Sequence, residues 1–168
     1  MKSIFKLLFA TFLTVAPLTA NAQSNVAHIN VQQLISEMPE VIAAQNELAK
    51  LEKDYTTQID NAFKEFQTKA QSYSSDAANQ TDVTNQARQK ELESMQTNLQ
   101  EFRDSAAQEL QKKQMDLMTP LLEKARNAIT KVGEEQGFNY VIDSSPNGGI
   151  ILANGKDLLA DVKKELGF

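Results

Sequence analysis

Residues 40–73 read EVIAAQNELAKLEKDYTTQIDNAFKEFQTKAQSY. No Gly or Pro interrupts the stretch, and apolar residues recur at Val41, Leu48, Leu51, Tyr55, Ile59, Ala62, Phe66, Ala70 and Tyr73, mostly three or four residues apart. That spacing lays a narrow apolar stripe along one face of an otherwise polar helix, the pattern of a coiled coil. At about 1.5 Å per residue the helix is roughly 50 Å long. Helices this long and this polar are held by a second helix on the stripe.

The partner lies just downstream. Residues 72–82 are small and polar, with Ser74-Ser75-Asp76 and Asn79-Gln80-Thr81-Asp82, and predict a chain reversal. A second stripe follows at Leu92, Met95, Leu99, Phe102, Ala106 and Leu110, continued by Leu117, Leu121, Ala125, Ile129 and Val132. It predicts a helix from about Val83 to Val132, zipped antiparallel onto the first. Pro120 falls inside it, where a missing N–H and a ring clash predict a bend and a candidate hinge at the root of the arm. Near the reversal the stripe thins to Ala70, Ala77, Ala78 and Ala87, which predicts weak packing and a mobile tip.

Outside the hairpin the period changes. Val26 to Val31 alternates as a strand, with Ala27, Ile29 and Val31 on one apolar face. A short helical turn over Gln32 to Met38 follows, and Pro39 fits the first turn of the long helix. At the other end Gly133 and Gly137 are expected to stop the second helix. Tyr140-Val141-Ile142, a turn over Ser144 to Gly149, and Ile150-Ile151-Leu152 then read as a β-hairpin. Asn154-Gly155 ends that strand, and Asp157 can cap a last helix over Leu158 to Leu166.

The expected fold is therefore α+β. Residues 39–132 form a helical-hairpin coiled-coil arm with its tip near 74–82, and residues 23–38 with 133–168 form a small β-rich body. A body of that size without cysteine has a poor ratio of core to surface. Oligomerisation would correct this, with Ala27, Ile29, Val31, Val141, Ile142, Ile150, Ile151 and Leu152 as the candidate contact residues.

The first 22 residues have a separate meaning. Lys2 and Lys6, an apolar run from Leu7 to Val15, and Ala20-Asn21-Ala22 form a signal peptide with cleavage expected near Ala22. The run is too short to span a bilayer, and with no cysteine there is no lipid attachment site, so the product is expected to be soluble and not membrane-anchored. In a Gram-negative cell its place is the periplasm. Cleavage leaves 15 basic against 22 acidic residues, a net charge of -7, which argues against nucleic acid as a partner.

Little points to catalysis. His28 is the sole histidine and there is no cysteine, so neither an ordinary zinc site nor a histidine triad can be built. Its simplest role is that of a strand residue beside the body. Gly148-Gly149 lacks the Gly-Lys-Ser pattern of a phosphate loop and reads as turn chemistry, and Asn79-Gln80-Thr81, formally a glycosylation acceptor, marks an exposed tip. Carboxylates scattered on a solvated rod have no pocket to shift their pKa values. No enzyme activity, cofactor or metal is expected. Lys112-Lys113, Lys124, Arg126 and Lys131 make a locally basic half-helix whose interleaved Glu109 and Glu123 suggest intrahelical pairs.

Residues 26–40, followed by 43–55, resemble the opening of the Skp/OmpH family of periplasmic chaperones: a strand, a short helix, a proline and a charged coiled coil. Pro120, Lys124, Ala128-Ile129, Val132, Gly137-Phe138 and Tyr140-Val141-Ile142-Asp143 are similar to that family's return from arm to body. The resemblance implies a jellyfish-like homotrimer whose three arms enclose a cavity for unfolded outer-membrane proteins, held without ATP and without chemistry. The best known members are strongly basic. The acidic balance of this chain speaks against the lipopolysaccharide contact associated with those basic arms.

For such holding, the candidate client-contact residues are the larger apolar ones of the arm: Phe63, Phe66, Tyr73, Met95 and Phe102. The simpler reading is that they zip the two helices together, and it is the favoured one for Phe66 and Phe102. Phe63, one position off the stripe, is the one best placed to face outward. The rival reading is a structural envelope adaptor or spacer whose arm binds a folded partner, but a stiff spacer would keep bulky stripe residues to the tip.

Overall fold

A computed structural model describes residues 25–146 and 148–168; the signal-peptide reading lies outside the described residues. In chain order the elements are β1 (Val26–Ile29), α1 (Val31–Glu37), α2 (Pro39–Asp76), a short 3-10 turn (Ala77–Asn79), α3 (Asp82–Glu135), β2 (Tyr140–Asp143), β3 (Lys156–Asp157) and α4 (Leu159–Leu166). The long hairpin of α2 and α3 is an arm on a small three-stranded body, as the α+β reading expects.

The arm follows the stripe. Val41, Ala44, Leu99, Ala106, Ala125, Ala128 and Val132 are buried, and the remaining stripe residues are half-buried between the helices except Ala78 and Ala87 near the reversal, which are exposed. Cross-helix ion pairs fix the antiparallel register: Glu40 to Lys124 at 2.5 Å, Glu47 to Lys113 at 2.8 Å, Lys69 to Glu91 at 2.5 Å and Asp76 to Arg88 at 3.1 Å. Lys113 and Lys124 thus pair across the hairpin, which corrects the expected intrahelical pairing for these two, while Lys131 keeps an intrahelical pair with Glu135 at 3.9 Å and also reaches Glu165 of α4 at 2.6 Å. Pro120 stands within a helix that continues from Asp82 to Glu135.

The turn is tighter than the composition implies. α2 runs to Asp76, and α3 starts at Asp82 behind Thr81, whose hydroxyl caps the Thr84 N–H at 3.2 Å.

The body differs more. β1 ends at Ile29 because the Asn30 side chain accepts from the Gln33 N–H at 2.9 Å and starts α1, so Val31 belongs to a helix and not to the strand. The expected hairpin does not form. β2 and β3 both pair with β1, in parallel, in the order β2-β1-β3; Val26 lies opposite Tyr140 and Ala27 opposite Lys156. Ile150, Ile151 and Leu152 are outside any strand, and the third strand is Lys156–Asp157 instead. A parallel partner from the far end of the chain wins over the local turn.

Beneath the sheet lies one core: Ala27 and Ile29 of β1, Leu34 and Met38 around α1, Val41, the α3 root residues Ala125, Ala128 and Val132, and Leu158 and Val162 beside and within α4. Gly133 does not end α3. It lies inside the helix, where a Cβ would come within 2.8 Å of a Val141 methyl, so its lack of a side chain lets β2 lie against α3. The helix stops at Gly137, whose φ of +75° suits glycine, with Phe138 N–H donating to the Gly133 carbonyl at 2.9 Å.

Two polar joints close the body. Asp143 Oδ1 accepts from the Ser145 N–H and hydroxyl at 2.9 and 2.6 Å and from the Val31 N–H at 3.3 Å, while Ser145 Oγ accepts from the Gln32 N–H at 3.0 Å. The end of β2 therefore caps α1. On the other face of the sheet, His28 bridges Ser144 Oγ and the Gly155 carbonyl, each at 3.2 Å, and pins both ends of the segment between β2 and β3 over β1.

Candidate functional site

Two surfaces stand out, one along the arm and one on the body. On the arm, the structure separates the five candidate aromatic and methionine residues. Phe66, Tyr73, Met95 and Phe102 are half-buried in the seam. Phe102 meets Tyr55 edge to face, with centroids 6.1 Å apart, and the Tyr55 hydroxyl donates to Glu109. Phe63 is different: it is 40 % exposed, with the Arg103 guanidinium 6.0 Å from its ring centroid. It stands at the mouth of a shallow groove of about 450 Å³ shared with Phe66, Leu99, Arg103 and the amides of Gln96 and Gln100.

Other exposed apolar residues of the arm escaped the sequence reading: Ile42, Val83, Met115 and Leu122. The signal was present for two of them, since Ile42 and Leu122 stand one position after the stripe residues Val41 and Leu121, as Phe63 does after Ala62.

Near the tip a polar clasp replaces the thin apolar stripe. Tyr73 donates to Glu91 at 2.6 Å, Lys69 donates to the other oxygen of Glu91, and Arg88 lies over the Tyr73 ring at 4.7 Å while pairing with Asp76. The Asn85 amide donates to the Ala77 carbonyl at 2.9 Å. The Lys69 hydrogen bond, with that of Tyr73, holds the Glu91 carboxyl below the usual carboxylate range, and the same contact raises Lys69 and Tyr73. Arg88, then Asn79, lowers Asp76. These shifts belong to a joint between two helices.

On the body, the candidate oligomerisation residues divide sharply. Ala27 and Ile29 are each 1 % exposed and lie in the chain's own core, so neither is available to a second chain. Val31 and Val141 are half-buried beside that core. Ile142, Ile150, Ile151 and Leu152 are exposed, Ile151 completely and Leu152 to 74 %, and Tyr140 joins them at 63 %. Under the β2 edge a groove of about 620 Å³ opens between α1, α3 and β2, lined by Val31, Ile35, Leu122, Ile129, Phe138 and Val141 among others.

Among the described residues no group of acidic, histidine or cysteine side chains could hold a metal ion, and no helix is long and apolar enough to cross a membrane.

Comparison with known proteins gives a consistent picture. Residues 25–166 match the family model for outer membrane protein (OmpH-like). Among curated proteins, the chaperone protein Skp of Yersinia enterocolitica is 26% identical over 148 residues, spanning 85% of this chain and 86% of that protein. The chaperone protein Skp of Pectobacterium atrosepticum is 20% identical over 151 residues, 90% of each. A crystal structure from Caulobacter crescentus, described as an OmpH-like outer membrane chaperone, shares the fold with a TM-score of 0.76 at 12% identity, covering 84% of this chain and 83% of that one.

Proposed function

The chain belongs to the OmpH-like outer membrane protein family, and on that premise we propose that it is an ATP-independent periplasmic holdase that keeps unfolded outer-membrane proteins from aggregating. Its domains, in this reading, are a signal peptide over 1–22, an assembling body over 23–38 and 133–168, and an arm over 39–132. Three copies join through their bodies, and their arms enclose the client.

Physical chemistry accounts for holding without catalysis. An unfolded membrane β-strand protein exposes alternating apolar side chains and unpaired backbone groups, and aggregates through both. Many weak contacts at high local concentration cover such a chain without one tight site, and each can open separately as the client leaves. The observation that carries the reading is Phe63, a large aromatic left partly open on a solvated arm beside amides and a guanidinium. Ile42, Met115 and Leu122 offer further apolar contacts of the same kind. Pro120 is the proposed hinge at the arm's root.

The test is light scattering of an outer-membrane β-barrel protein diluted from urea, with and without the purified chain, alongside sedimentation of the chain itself. Scattering suppressed at about one trimer per client supports holding. Unchanged scattering from a stable oligomer would overturn it in favour of an adaptor that binds a folded partner.

A further inference from the structure

The thioethers of this chain are sorted by depth. It has five methionines and neither cysteine nor tryptophan, so methionine sulfur is its most readily oxidised side-chain group. Four of the five lie among the described residues. Met38 is fully buried in the body core, Met118 is half-buried against that core, and Met95 is half-buried in the arm seam. Met115, of these four, stands open on the arm at 54 % exposure. An oxidant in solution meets its sulfur first.

The surroundings of Met115 give that sulfur a role. Leu122 and Ile129 follow it at steps of seven residues, so the three share one face of α3, with about 10 Å between successive members. Leu122 is exposed, and it and Ile129 line the groove of about 620 Å³ at the arm's root. Met115 is the outer end of this row, since Gln108 stands one step beyond it, and it lies off the seam stripe of Leu110, Leu117 and Leu121. Sulfoxidation turns a flexible apolar side chain polar. At Met38 that change would disrupt a core. At Met115 the new oxygen faces water, so the helices stay packed and only the apolar surface of the row shrinks.

We propose that Met115 is a redox modification site whose oxidation to the sulfoxide by hydrogen peroxide weakens client holding reversibly while the arm stays folded. The thioether sulfur attacks one peroxide oxygen, an S–O bond forms as the O–O bond breaks, and with a proton shifted to the departing oxygen the products are the sulfoxide and water. Sulfur loses two electrons and the peroxide gains them. A methionine sulfoxide reductase reverses the step, its thiols becoming a disulfide as the oxygen leaves in water. The chain itself has no cysteine to form a disulfide under the same oxidant, so the open thioether is the group that responds. The effect on clients rests on the holdase reading above.

The test treats the purified chain with hydrogen peroxide and follows each methionine by peptide mass, alongside helical circular dichroism and scattering of a diluted β-barrel protein. Met115 is expected to gain one oxygen atom several-fold faster than Met95, Met118 or Met38, at unchanged circular dichroism. At that stage the parent should lose holding relative to its own untreated sample, and a sulfoxide reductase should restore it. Met115→Leu keeps an apolar side chain that peroxide does not oxidise and should retain its own untreated level, whereas Met115→Gln should hold as poorly as the oxidised parent. Equal rates at the four sulfurs overturn the site. Holding that is unchanged once Met115 is oxidised, or lost equally in Met115→Leu, overturns the effect on clients. An untreated chain that does not hold clients overturns the holdase reading together with that effect, and the oxidation rates still decide the site.

Discussion

Replacing Phe63 by Gln should separate holding from folding. Phe63 hides roughly three-fifths of its surface, and fully burying a Phe side chain contributes about 1.5–3 kcal/mol, so its contribution is at most about 1–2 kcal/mol. Glutamine retains part of the aliphatic contact and is a slightly better helix former, which brings the expected loss to about 0.5–1 kcal/mol. Phe66→Ala, in the seam, removes a half-buried ring and should cost about 2–4 kcal/mol, somewhat less than the roughly 3–5 kcal/mol for truncating a fully buried core Phe. Urea unfolding followed by circular dichroism gives both stabilities, and scattering of a diluted β-barrel protein gives holding at a temperature where both variants are folded. F63Q should hold clients less well while unfolding near the parent midpoint. If F63Q destabilises the chain as much as F66A, or holds clients as well as the parent, the division of the arm into seam and open face is wrong.

Four further outcomes follow from the same geometry. Glu91 and Asp76 have folded pKa values below their unfolded ones, so the unfolded chain takes up more protons as pH falls; their contribution is complete above the ordinary carboxylate values near 4 and is lost progressively as pH falls from there through the lower folded values. The gap in urea midpoint between the parent and an E91Q variant should therefore be present at pH 7 and shrink progressively as pH falls below the ordinary carboxylate values, whereas a pH-independent gap would remove the clasp's electrostatic basis. Ser145→Ala should cost about 1–2 kcal/mol in urea unfolding, because the α1 cap loses a buried hydroxyl that serves Gln32 and Asp143. Gly133→Ala should destabilise by about 1–2 kcal/mol despite alanine's higher helix propensity, and Val141→Ala added to it should recover part of that loss; independent effects would refute the close approach. Pro120→Ala restores a backbone hydrogen bond inside α3 and should raise the melting temperature while lowering holding, and unchanged holding would remove the hinge role.

The arm was legible because its causes are local. Leu48, Leu51, Tyr55 and Ile59 declare a helical face within a dozen residues, and a polar tip without prolines allows only one return path. The body was not legible to the same degree. Tyr140 to Leu152, with Pro146, Gly148 and Gly149 at its centre, is good hairpin chemistry in isolation, but parallel pairing of Val26–Ile29 with Tyr140–Asp143 leaves no short-range trace. Val31 looked like the end of a strand because the alternation ran through it, whereas the Asn30 cap decides the matter. At the tip, alanines in the stripe suggested looseness because apolar periodicity does not register a Tyr73–Glu91–Lys69 clasp. Phe63 was distinguishable from Phe66 only by its offset from the stripe.

The central position of β1 dictates an order of events in time. A chain that emerges N-terminus first presents Val26–Ile29 at once, yet both neighbours of that strand lie in residues 140–157. Waiting open, the two ends would meet only across a long and slowly closing loop. The hairpin shortens that search, for α2 and α3 can zip from Asp76 and Arg88 down to Glu40 and Lys124, and so carry β1 to the place where β2 arrives. The sheet is thus the last piece to close, and a chain cut short before Lys156 leaves one side of β1 without its strand. Completeness of the polypeptide is thereby checked by the sheet itself.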